Sequence, residues 1–291
     1  MDARFYRAAF CASILLWCTG ASYATRNFVV ESPDPQFARQ MAEAAEQYRR
    51  DLAVLWLGHE LPNWSSPCPI TVKDGPNLGA GGATTFVFDK GEVFGWQMTI
   101  QGSRERLLDS VLPHEITHMI FASHFRQPLP RWADEGGATC VEHISERQKH
   151  RTMLVRFLQT RRGIPFNHMF AMEEYPQDIM PLYAQGYSLA EYLIKQRGHR
   201  HYVAFLEAGL KNDDWNAAVR DYYGYPSLGD LQLKWVDWVA QGCPDPSQPA
   251  APEQPDRPLL AAARNTIDRV LGRESKGSIY QRLATAAPDR V

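Results

Sequence analysis

His114-Glu115-Ile116-Thr117-His118 reads H-E-x-x-H, and its residue types suit metal-assisted hydrolysis. On a helix, residues four apart share a face, so His114 and His118 can present two imidazole nitrogens to one metal ion. Glu115 lies at the edge of the same site, where its carboxylate can take a proton from water activated by the metal. Ile116 points the other way, as a core contact would. A hydrolytic zinc ion usually has three protein ligands and an open position. A third ligand is expected from a following helix. Pro130-Arg-Trp-Ala-Asp-Glu-Gly-Gly-Ala138 offers Asp134 and Glu135 there, followed by two small residues that would allow close helix approach.

The motif needs a helix, and the flanking sequence supplies one. Ser103 can cap a helical segment running to about Phe125. Pro113 falls inside that segment. It predicts either a kink or a fresh helix with Pro113 in its first turn. Upstream, Asn27–Ser32 reads as a short strand and Gln36–Leu57 as an amphipathic helix ended by Gly58 and Pro62. Pro69–Lys73, Thr84–Phe88 and Val93–Ile100 read as strands, the last two joined at Asp89-Lys-Gly91. The glycine stretch from Gly75 to Gly82 lacks the G-x-G-x-x-G pattern and precedes a strand, so it reads as a tight turn. Downstream, Trp132–Gln159, Leu182–Gln196, His201–Leu210, Trp215–Tyr222 and Leu228–Gln241 read as helices. The fold class expected is α+β: a small mixed sheet over the zinc-binding helix, with a mainly helical C-terminal part.

H-E-x-x-H followed by W-x-x-E-G-x-A resembles the gluzincin metallopeptidases, specifically the peptidase MA-like domains related to aminopeptidase N and thermolysin. The resemblance implies a thermolysin-like catalytic domain with one Zn²⁺ per chain. It makes His114, His118 and Glu135 the metal ligands and Glu115 the general base. Leu182-Tyr183-Ala-Gln-Gly186 matches the family's Y-x-x-G segment, which implies that Tyr183 donates to the oxyanion. The G-x-M-E-N loop of the aminopeptidases is missing. Gly95-Trp-Gln-Met-Thr-Ile100 stands in its place and is expected to be the edge strand that pairs with an extended substrate. Endopeptidase cleavage therefore fits as well as N-terminal trimming. Two other functions share the same residues: a binding protein in which zinc is only a staple, and a metallohydrolase of non-peptide amide bonds such as those of a cell wall.

Other residues weigh less. His143, eight positions after Glu135, is expected either behind the site or as a solvated histidine. Thr139 is expected to hydrogen-bond Glu135 or to pack. His199 and His201 read as a solvated loop, and Trp215, Trp235 and Trp238 as core.

The chain has 291 residues, 44% hydrophobic and 22% charged, with a net charge of −2. That composition supports a globular domain and offers no basic excess for nucleic acid, while the resemblance implies a peptide or protein substrate as the partner. Arg4 and Arg7, the apolar run Ala8–Thr19 and the small residues of Ser22-Tyr-Ala24 read as a signal peptide over residues 1–24. The protein is then secreted or periplasmic, with no transmembrane segment after cleavage. The peptidase domain is expected over residues 25–243 and a proline- and alanine-rich flexible tail over residues 244–291. Of the three cysteines after residue 24, Cys68 and Cys243 are the expected pair, with Cys140 free. Because the tail has few large apolar residues, truncation after Pro244 should leave metal content and activity within about twofold of the full chain. Metal analysis and assay of the truncated protein check this.

Overall fold

A computed structural model of the chain describes residues 21–172 and 174–245. The expected tail, apart from its first two residues, and most of the expected signal segment lie outside the described residues. The front of the chain forms β1 (Ala21–Ala24), β2 (Phe28–Ser32), α1 (Pro35–Leu57), β3 (Cys68–Asp74), β4 (Gly81–Asp89) and β5 (Glu92–Gly102). The sheet order is β1-β2-β3-β5-β4. The two central pairings, β2 with β3 and β3 with β5, are parallel, and the two outer ones are antiparallel. β1 pairs residue by residue with Val29–Ser32, so a cut after Ala24 would remove this edge strand.

Local chemistry explains the elements. Asp34 accepts the amide hydrogens of Gln36 and Phe37 to start α1, and Gly58, at φ 83°, stops it in the left-handed conformation. Lys90 and Gly91 both take positive φ, which turns β4 into β5 through a tight hairpin. Phe28, Val30, Ile70, Val72, Met98 and Ile100 are buried in alternation along the strands.

Behind the sheet lie α2 (Arg104–Arg106), a π-helical turn at Leu107–Val111 and α3 (Leu112–Phe125). Ser103 caps this run, as expected, by accepting from the Arg106 amide. The Leu112 N–H reaches back five residues to the Leu107 carbonyl. The wider turn makes room where the Pro113 ring would otherwise strike the preceding turn, and α3 restarts with Pro113 in its first turn. The remainder is helical: α4 (Arg131–Cys140), α5 (Ile144–Gln159), α6 (Phe166–Phe170), α7 (Met180–Arg197), α8 (His199–Asn212), α9 (Trp215–Tyr223) and α10 (Leu228–Ala240). The fold is thus a mixed α+β arrangement, a five-stranded mixed sheet followed by mostly helix.

Several expectations are corrected. The Trp132–Gln159 segment is two helices, broken at Val141–His143, where His143 caps α5 by accepting from the Ser145 amide. His199 and His201 lie in α8 rather than in a loop. The His199 ring packs on Trp56, and His201 Nε2 meets the Tyr222 carbonyl at 2.8 Å. Cys68 and Cys243 are not paired. Cys68 is sealed in the sheet core as the first residue of β3, while Cys243 follows α10 and its carbonyl faces Lys195 on α7. Trp215, Trp235 and Trp238 are buried as expected. Among the described residues, no helix is long and apolar enough to cross a membrane.

Two glycines set the distance between α4 and α7. A Cβ on Gly136 would stand 2.4 Å from the Gly186 carbonyl oxygen, and one on Gly186 would stand 2.6 Å from the Trp132 carbonyl oxygen. Both obstacles are backbone, so neither can step aside. Gly136→Ala should therefore push α4 and α7 apart and destabilise the fold by about 1–3 kcal/mol. A lower thermal midpoint together with weaker metal retention is the expected result.

Candidate metal centre

His114 and His118 sit one turn apart on α3, with ring centroids 4.8 Å apart. Glu135 comes from the first turns of α4, which packs against α3. Gly137 allows this contact, because a Cβ there would meet the Phe121 ring at 2.6 Å. His114 Nε2 lies 3.5 Å from Glu135 Oε2, and His118 Nε2 lies 3.9 Å from the same oxygen. The ligand atoms of the three residues all fall within 4.8 Å of one another. The cluster is thus able to hold a metal ion.

Both imidazoles are anchored from behind. His114 Nδ1 meets Glu142 Oε1 at 2.7 Å, and His118 Nδ1 meets Asp134 Oδ1 at 2.8 Å. A carboxylate on Nδ1 fixes the ring and its tautomer, leaving the Nε2 lone pair for a metal. Asp134 therefore holds a ligand, while Glu135 faces the centre. Glu135 Oε1 in turn accepts from the Tyr175 hydroxyl at 2.5 Å. Arg131 stacks over the Tyr175 ring at 4.4 Å.

Glu115 is 4% exposed and opens on the same cavity. Its Oε2 accepts from Thr84 Oγ1 at 2.6 Å. Its Oε1 sits against Gly82, where a Cβ would be only 2.5 Å away. Gly82 and Thr84 belong to β4, the edge strand of the sheet. Gly95–Ile100, the segment expected at the edge, is in β5 and lies between β3 and β4. The edge facing the site is therefore β4. Its Gly81 to Thr84 stretch lines a cavity of about 680 Å³ together with the metal cluster.

Tyr183 also lines this cavity and stacks on Tyr175, with centroids 6.4 Å apart and planes at 20°. Burial first, and then the Glu135 charge, raises the pKa of both tyrosines, so both hydroxyls stay protonated as donors. His143 is half-exposed and takes no part in the cluster. Thr139 does not bond Glu135, and its hydroxyl has no protein partner.

Sequence reading missed Glu142, Thr84, Gly82 and Tyr175. Gly82 left a trace, as part of a glycine-rich stretch, but nothing in the sequence said which side chain would press on it. Compared with protein-family models, curated proteins and solved structures, the chain shows no match.

The electrostatics describe the metal-free state. Burial opposes a charge on His114, but the Glu135 and Glu142 carboxylates outweigh it and hold the pKa well above the usual value. His118 is likewise penalised by burial, yet Asp134 and Glu135 raise it to about 9. Burial favours neutral Glu135, but the two imidazoles lower it to about 2. The raised histidines stabilise the metal-free fold fully below the ordinary histidine pKa. For His118 that contribution is lost as pH rises through about 9. Metal binding must displace these protons. Near neutral pH, each histidine should release one proton as a divalent ion binds, so affinity should rise with pH. Calorimetric titration in buffers of different ionisation enthalpy measures this directly.

Proposed function

We propose that this chain is an exported zinc-dependent metallopeptidase of the gluzincin type, with a thermolysin-like catalytic domain. The observation that carries the reading is the convergence of His114 Nε2, His118 Nε2 and Glu135 Oε2 on one point beside the Glu115 carboxylate. Tetrahedral zinc with bonds of about 2.0–2.1 Å sets its ligand atoms about 3.4 Å apart. The separations of 3.5 and 3.9 Å, with all three ligand atoms within 4.8 Å of one another, leave room for a small divalent ion such as zinc.

Zinc held by His114, His118 and Glu135 would supply Lewis acidity for activating water and polarising the scissile carbonyl. Glu115 accepts a proton from the attacking water as the carbon–oxygen bond forms. It returns that proton to the leaving amine as the carbon–nitrogen bond breaks. Thr84 holds Oε2 of Glu115 and so orients the carboxylate. Tyr183 donates to the oxygen that gains charge in the tetrahedral intermediate, and burial, with the Glu135 charge next, keeps its proton in place. Tyr175 and Arg131 hold Glu135 against rotation. Edge strand β4 supports a peptide as the substrate, since its backbone is available for pairing with an extended chain.

Glu115→Gln should keep the metal and lower turnover by about 10²–10⁴-fold, because glutamine keeps the shape but cannot take the proton. His118→Ala should instead lose the metal itself. Metal analysis alongside digestion of a peptide library separates the two outcomes. Near-normal turnover by Glu115→Gln would remove Glu115 as the base and with it this mechanism.

A further inference from the structure

Arg131 is the one lysine or arginine among the described residues that line the metal cavity. Five acids line it too: Glu115, Asp134, Glu135, Glu142 and Glu146. A lone cation in such a wall would ordinarily pair with one of them, but each acid is engaged elsewhere. Asp134 holds His118, Glu142 holds His114, and Glu135 faces both histidines. Glu115 accepts from Thr84, and Glu146 pairs with Arg106 and Lys149. Among the described residues, no carboxylate stands within ion-pair distance of Arg131.

Arg131 meets Tyr175 instead. Its guanidinium lies over the Tyr175 ring, 4.4 Å from the centroid, and Nη1 reaches the hydroxyl at 3.4 Å. That hydrogen bond is long and weak. Stacking covers one face of the planar group and leaves its edge, where the N–H donors point, for an acceptor. The place is open: Arg131 is half-buried and Tyr175 is 40% exposed. Arg131 also lines a second cavity of about 800 Å³, together with Phe170, Leu210 and Trp215. The Tyr175 hydroxyl that Nη1 touches donates to Glu135 Oε1 at 2.5 Å. One phenol oxygen thus separates the guanidinium from the metal cluster.

We infer that Arg131 binds a carboxylate of the substrate beside the metal cluster, so that peptides carrying an acid there are preferred. The inference rests on the metallopeptidase reading. A guanidinium takes a carboxylate through two parallel, charge-assisted hydrogen bonds, and a neutral amide of the same shape lacks the charge. The carboxylate has two sources, the C-terminus of a peptide or an Asp or Glu side chain. Arg131 also supports Tyr175 and through it Glu135, so changing it can lower all activity. Only a preference for the acid is particular to binding.

The test uses the metal-loaded full chain and a peptide library in paired forms. One pairing sets a free C-terminal acid against the C-terminal amide, and the other sets Glu against Gln within the peptide. Cleavage is measured as kcat/KM with the wild type, and binding by calorimetry with the Glu115→Gln protein. One carboxylate form should be favoured over its neutral counterpart by about tenfold or more in both readouts. Acid over amide identifies the C-terminus as the source, and Glu over Gln the side chain. The preference should shrink as salt is raised, because the guanidinium is partly exposed. Arg131→Gln should bring the ratio close to one in protein that retains its metal. Arg131→Lys keeps the charge without the fork and should retain only part of the preference. Should the glutamine variant lose its metal, the lysine variant decides, and an undiminished ratio there overturns the proposal. Wild-type cleavage without preference for either carboxylate overturns it too, as do equal losses on acidic and neutral peptides in Arg131→Gln. Both results leave the metallopeptidase reading standing. If metal-loaded protein neither binds nor cleaves any library peptide, both fall together.

Discussion

His114 and His118 and four carboxylates, Glu115, Asp134, Glu135 and Glu142, crowd one part of a cavity wall, and burying charge without a partner is costly. The arrangement is tolerable because nearly every polar edge is bonded. Glu142 and Asp134 take the outer nitrogens of the imidazoles, Tyr175 takes one oxygen of Glu135, and Thr84 takes one oxygen of Glu115. What remains unpaired inside is a set of ligand atoms facing one another. In the metal-free protein that set is held together by protons on the imidazoles. A divalent ion can take their place without any side chain changing its outer partner.

Such a network requires helices at fixed distances. α3 carries both histidines, α4 carries Glu135 and Asp134, and Glu142 follows where α4 has ended. Adjacent glycines on α4 serve two different neighbours: Gly136 admits the α7 backbone, and Gly137 admits the Phe121 ring of α3. α4 is thus clamped from both sides. The same contact brings the start of α7, with Tyr183, and the loop before it, with Tyr175, to the open side of the cluster. The π-helical turn before α3 accommodates Pro113 and so lets the histidine-bearing helix restart in register with α4.

The sheet contributes through its edge. β4 brings a hydroxyl and a residue without a side chain to the same carboxylate, so Glu115 is oriented by Thr84 and given room by Gly82. A carboxylate held this way keeps one orientation toward the cavity. The antiparallel hairpin that presents β4 also leaves its outer backbone edge beside the cavity.

Much of this was legible locally. The H-E-x-x-H spacing follows from helical periodicity, and alternation, caps and the Asp89-Lys-Gly91 turn placed most strands and helices to within a few residues. Glu135 was reached through a resemblance in its motif, and the structure brings it to the histidines. The partners of the ligands were not legible. Glu142 is 28 residues from His114 and Thr84 is 31 residues from Glu115, and no local pattern links such positions. The break at Val141–His143 turned an apparent second-layer histidine into a helix cap and put Glu142 in its place. The expected cysteine pairing failed for the same reason, since neighbouring prolines describe the chain around Cys68 and Cys243 and not the layers they are packed into. Short-range periodicity and turn chemistry determine which residues can act together on one element. Hydrogen bonds across elements are decided by packing, where backbone contacts such as Gly136 against Gly186 set which side chains meet.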